Sequence, residues 1–197
     1  MKIEKIDMEV LEGNELFLDS DGFKALKEKK VKTLNNTDYI LIEIIPNMNE
    51  KLVKRDLKKV MKLGYKPILA HIERYPFIDL KFLYKLKKMG ILIQTNFEGL
   101  KNNDTLYNWI ELGLINVVAS DTHNIKHRSY DVDDVLNEMD DRLGIKIKER
   151  LLIKNPEKII NNEEILETID EEKINNLLYK NSSVRHFFQK LKSKKNN

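Results

Sequence analysis

The stretch VVASDTHN, Val117 to Asn124, runs an apolar segment straight into an acid and a histidine two positions apart. The layout is not isolated: Glu43 lies inside YILIEI, His71 inside PILAHI, and Glu15 stands in GNEL. A carboxylate within a segment built for burial is costly unless a cation neutralises it. Taken singly, Glu15 and Glu43 read as surface acids and His71 as a hydrogen-bonded core histidine. Taken together with Asp121 and His123, they are oxygen and imidazole donors suited to a hard or borderline divalent ion. Such ions activate water and clamp phosphoryl oxygens. Arg74, three residues past His71, and Arg128, five past His123, bring guanidiniums that bind phosphate in forked fashion. His127 and His186 have no comparable setting and read as surface residues.

Those donors need elements to carry them. Five apolar segments read as short buried strands: Ile6 to Glu15 (the least regular), Tyr39 to Ile44, Pro67 to Ile72, Ile91 to Asn96 and Ile115 to Ser120. Between them, Glu50 to Leu63, Asp79 to Met89 and Asp104 to Leu112 have apolar residues at helical spacing, and Gly64, Gly90 and Gly113 stand where helices stop. Alternating strand and helix predicts an α/β fold with parallel strands. The residues near the strand ends, Glu15, Glu43, His71, Asn96 and Asp121, follow one another at steps of 28, 28, 25 and 25. In such folds the carboxyl ends of the strands share one face, where the site is built. After Asp121 the pattern is helical, from Asp131 to Gly144 onward, with Pro156 and Asn161/Asn162 marking joins.

At 197 residues the chain has room for one ordinary domain. We expect residues 1–161 to form it and 162–197 to be a helical appendage with a basic tail. That tail holds five basic residues and no acid in its last thirteen positions; it reads as solvated, with no nucleic-acid partner. No apolar run reaches membrane-spanning length and no signal segment is recognisable, so a cytoplasmic protein without membrane insertion is expected. The chain has no cysteine, which excludes disulfides, thiolate metal sites and a cysteine nucleophile.

The segments TLNNTDYILIEI, LGYKPILAHIERY, VVASDTHN and NPEKII, in this order, resemble the manganese-dependent protein-tyrosine phosphatases of the polymerase and histidinol phosphatase (PHP) superfamily, encoded in bacterial capsule and exopolysaccharide operons. The resemblance covers about Gly13 to Ile160. It implies a distorted (β/α)7 barrel with a three-metal site, acting on phosphotyrosines in the tail of a polysaccharide-assembly tyrosine kinase. By this resemblance Glu15 is a metal-bridging glutamate, and Glu43 and His71 complete one metal site with it. Asp121 binds a second metal and His123 a third, while Arg74 and Arg128 hold phosphate. Manganese is the implied ion, with iron, zinc, magnesium or cobalt as alternatives.

One departure stands out. The family opens with a His-x-His strand, whereas this chain has no histidine before His71. The expectation is therefore an incomplete barrel lacking its first two strand-helix units, with weak turnover in isolation. Open parallel edges then call for a second copy or a separately made amino-terminal piece. The competing reading is a decayed relative that binds a metal or a phosphotyrosine tail without turnover. Hydrolysis of another phosphoester is a third.

Overall fold

The computed structural model describes residues 9–123, 132–166 and 169–180. Its strands are β1 (Glu15–Phe17), β2 (Tyr39–Glu43), β3 (Lys66–Leu69), β4 (Leu92–Asn96) and β5 (Val117–Ala119). All pair in parallel, in the order in which they occur along the chain. A sequential order is that of a barrel wall, since a doubly wound sheet reverses at a switch point. The α/β class and the parallel sheet expected from the alternating pattern are therefore present.

Between the strands run α1 (Ser20–Lys27), α2 (Glu50–Lys62), α3 (Leu80–Lys88), and α4 (Phe97–Leu100) with α5 (Asp104–Glu111). The side chains of Asn49 and Asp79 cap α2 and α3 by accepting from the backbone N–H groups of Lys51 and Phe82, satisfying donors that a helix start leaves open. Both helices are followed by left-handed glycines, Gly64 at φ 95° and Gly90 at φ 84°, a conformation that a side chain disfavours. Val53, Leu57 and Val60 of α2 and Phe82, Leu83 and Leu86 of α3 are fully buried. They pack on Ile40, Ile42, Leu69, Ile93 and Val118, which share one face of the sheet. Each such side chain contributes about 1.5–3 kcal/mol of burial.

The opposite face follows from the strand period of two. Tyr39, Ile68 and Leu92 form a second, smaller cluster with Leu41 and Val117. Its cover comes from far along the chain. Beyond β5 the chain forms α6 (Asp133–Leu143), α7 (Ile145–Glu149), a π-helical turn (Arg150–Lys154) and α8 (Asn155–Ile160). Asn155, the first residue of the NPEKII segment, donates from Nδ2 to the carbonyl of Asn116 (2.8 Å), and Pro156 occupies the first turn of α8, where its missing N–H costs nothing. Ile159 and Ile165 then lie against the inner cluster. Asn35 Nδ2 donates to the Ile160 carbonyl (3.0 Å) and the Tyr39 hydroxyl to the Glu163 carbonyl (2.7 Å), which fixes that cover over the strands. The helical stretch 171–180 packs on the main core through fully buried Ile174. The basic tail lies outside the described residues.

One expectation is corrected. Glu15 does not end a strand running from Ile6; it begins β1. The preceding backbone is engaged elsewhere, since Asn14 N–H donates to the Lys32 carbonyl (2.9 Å) and Asn35 N–H to the Glu12 carbonyl (2.8 Å). Gly13 is required at that crossing, because a Cβ there would lie 2.6 Å from Leu34 Cδ2. Glu15 therefore pairs with Leu41, two positions before Glu43.

Candidate metal centre

Glu15, Glu43 and His71 each place one ligand atom so that all three lie within 4.8 Å of one another. Glu43 is the last residue of β2, and His71 follows β3 by two positions. His71 leaves the strand in the left-handed region, at φ 34°, uncommon for a residue with a side chain and frequent at functional sites. Its imidazole is 2% exposed, while the two carboxylates are about one third exposed. The histidine is thus fixed from within and the acids open to the mouth.

A buried imidazole must satisfy both nitrogens. Nε2 lies 2.7 Å from Glu15 Oε1. A carboxylate only accepts, so this nitrogen carries the proton. Nδ1 lies 3.3 Å from the hydroxyl of Tyr75, which also accepts from the Ile44 N–H at 3.2 Å. Burial raises the Tyr75 ionisation far above the ordinary phenol range; the Ile44 N–H opposes this, and the charges of Glu43 and Glu15 add to it. The hydroxyl stays protonated and can donate to Nδ1. It can also accept if the imidazole proton moves to Nδ1, as ligation through Nε2 demands.

The other side of the mouth is arranged differently. Asp121, two residues past β5, also takes a left-handed conformation, φ 51°. Its carboxylate accepts from the Arg74 guanidinium and from Asn96 Nδ2 (3.3 Å). Gln94 connects the sides: its Oε1 accepts the His71 N–H (2.5 Å), and its Nε2 donates to Asn96 Oδ1 (2.7 Å). Glu73 Oε2 accepts from Thr95 Oγ1 (2.7 Å), holding the Ile72–Arg74 turn to β4. A Cβ at Gly99 would sit 2.6 Å from Glu73 Cγ, so the glycine admits that side chain.

Of the residues expected from the sequence, Glu15, Glu43 and His71 converge. Asp121 lines the same cavity of about 350 Å³ as Glu15 and His71, floored by Leu41, Ile68, Val117 and Ile159. His123 stands beside Asp121, its Nδ1 donating to the Asp121 carbonyl (2.8 Å) with the ring largely exposed. Arg74 reaches Asp121, whereas Arg128 and His127 lie outside the described residues. Tyr75 and Gln94 were missed. Gln94 had left a trace, a polar residue in ILIQTN at the same inward parity as Leu92.

The donor set suits a divalent cation. Two carboxylates face one imidazole, and no lysine or arginine pairs with Glu15 or Glu43 among the described residues. Without a cation their mutual repulsion is uncompensated.

Comparison with known proteins gives a consistent picture. Residues 1–161 match the family model for capsular polysaccharide synthesis, CpsB/CapC. The chain is 28% identical over 169 residues to tyrosine-protein phosphatase CpsB of Streptococcus pneumoniae, covering 78% of this chain and 69% of that protein. The CpsB phosphatase of Streptococcus agalactiae is 30% identical over 169 residues, with 79% and 69% covered. Among solved structures, the crystal structures of YwqE from Bacillus subtilis and CpsB from Streptococcus pneumoniae, described as unique metal-dependent tyrosine phosphatases, match with a TM-score of 0.70 and 26% identity. That match covers 79% of this chain and 66% of the other, so the chain spans about two thirds of the length of its relatives.

Proposed function

Because this chain belongs to the CpsB/CapC family of capsular polysaccharide synthesis proteins, we propose that it is a metal-dependent protein-tyrosine phosphatase, with manganese as the working ion. The observation that carries the reading is the convergence of Glu15, at the start of β1, with Glu43 and His71, at the carboxyl ends of β2 and β3. Relatives named as tyrosine-protein phosphatases support the substrate class.

A bound divalent ion supplies Lewis acidity toward water and the phosphoryl oxygens. Glu15, Glu43 and His71 would hold it, and with the imidazole proton on Nδ1 the Tyr75 hydroxyl would accept that N–H. Arg74 pairs with Asp121 in the resting arrangement and offers its remaining N–H groups to an incoming phosphate. Asp121 and His123 stand at the same mouth and would serve as further ligands, and Arg128, outside the described residues, is proposed as a second phosphate-binding guanidinium on the family resemblance. The chain has no thiol, so a cysteinyl-phosphate route is closed to its own residues. The natural substrate we infer is the phosphotyrosine tail of a polysaccharide-assembly tyrosine kinase.

The test is hydrolysis of a phosphotyrosine peptide by chelator-treated protein to which manganese is returned, beside a phosphoserine peptide of the same sequence. We expect turnover of the first, dependent on the ion. Folded, metal-loaded protein that releases no phosphate from it, or that prefers phosphoserine, overturns the reading.

A further inference from the structure

Charge on this molecule is segregated. The chain has 35 basic and 32 acidic residues, yet α2 and α3 alone hold ten basic and two acidic ones, leaving 25 and 30 elsewhere. Between these helices lies a groove of about 630 Å³ walled by Lys51, Lys54, Arg55, Lys58, Lys85 and Lys88 and floored by Tyr84 and Met89. Arg55 is partly neutralised by Asp56 (2.8 Å) and Lys88 by Glu171 (2.8 Å). Lys54, Lys58 and Lys85 have no acidic partner among the described residues.

Helix stability does not account for the pattern. Lysines in the last turn of a helix favour its dipole, but Lys51 and Lys54 occupy the first turns of α2, the end that repels cations. That end also lies on the side of the sheet where the strands end, since α2 starts seven residues after Glu43. The groove thus lies on the outer side of the helices, with its α2 wall opening toward the strand-end side and its α3 wall, Tyr84 to Met89, in the second half of that helix.

We propose that this groove binds an acidic polypeptide segment flanking the phosphotyrosine that enters the mouth. The proposal rests on the phosphatase reading for the word substrate. The geometry favours a chain over a flat surface: a concave, basic-walled channel with an aromatic floor accepts an extended peptide, whereas a membrane surface meets a flat or convex face. Cations there raise the encounter rate with an anionic peptide and set its direction across the mouth.

The experiment uses the metal-free chain and two fluorescent dodecapeptides, each with one central phosphotyrosine, flanked by glutamate in one and by glutamine in the other. Anisotropy at low salt is expected to show binding of the glutamate peptide about tenfold tighter, with the gap closing as salt rises through physiological strength. Lys54→Glu and Lys85→Glu, made separately, each reduce the gap by about threefold. Lys24→Glu and Lys27→Glu on α1, also made separately and equal in charge change but outside the groove, each leave it intact. Equal affinity for the two peptides overturns the proposal, as does an α1 variant that weakens binding as much as the groove variants. Stronger retention of phosphatidylglycerol vesicles or of a single-stranded oligonucleotide than of the glutamate peptide overturns it in favour of those partners. Binding is read without turnover, so a catalytically silent protein leaves this test intact.

Discussion

The two sides of the mouth neutralise their charge in opposite ways. On the β1–β3 side, Glu15 and Glu43 face a single imidazole, held from behind by a buried tyrosine. On the β4–β5 side, Asp121 is already satisfied by Arg74 and Asn96. The first arrangement lacks positive charge and is preorganised for a cation. The second is self-neutralised and can exchange its guanidinium contact for an anionic ligand. On the proposed function, the first side would hold an ion and Arg74 a phosphate, so a variant on one side should disturb its own ligand more than the other.

The most severe break of that division is His71→Ala. It removes the only imidazole of the triad, and titration calorimetry is expected to show manganese affinity falling by more than about 100-fold, with turnover lost alongside. Arg74→Ala strikes the other side. Competitive inhibition by inorganic phosphate should weaken by about tenfold or more, the scale of a charged hydrogen bond, while ion affinity holds or rises as Asp121 is freed. Loss of ion binding in that variant would show that the two sides act as one unit. Tyr75→Phe sharpens the comparison further: it keeps the ring in the core but leaves Nδ1–H without an acceptor in the bound state. Ion affinity should drop by roughly tenfold, with nitrogen shifts of His71 in the loaded protein reporting the altered tautomer. The smallest effect is expected from Glu73→Gln, at the seam between the halves. It retains an acceptor for Thr95, and denaturant unfolding should register a loss of about 1 kcal/mol with ion affinity within about threefold.

Much of this was legible before any coordinates. Strands β2 to β5 and helices α2, α3 and α5 were readable because each has one unambiguous period and a clear stop, as with the capped starts at Asn49 and Asp79. Convergence of Glu43 and His71 followed from parallel strands of similar length. Glu15 was expected to join Glu43 and His71, as it does, but was set at the wrong end of its strand. The alternation in MEVLEGNEL does not say which half pairs with β2, and the decision came from Leu34 and Lys32, which hold the earlier half in a loop. Tyr75 was hidden for another reason. A tyrosine four residues from a histidine looks like any core aromatic, and only the left-handed turn at His71 brings its hydroxyl to Nδ1. The inner cover by Ile159 and Ile165 was equally invisible, because it joins segments far apart in the sequence with no local signature.

That cover has a bearing on biosynthesis. The contacts of Asn35 with Ile160 and of Tyr39 with Glu163 close loops of 125 and 124 residues. Strands β2 to β4 keep one oily surface bare until the segment around residue 160 has been made, a long-range closure that slows maturation. Chaperone demand should therefore track the synthesis of the segment around residue 160, well after Glu15, Glu43 and His71 have been translated.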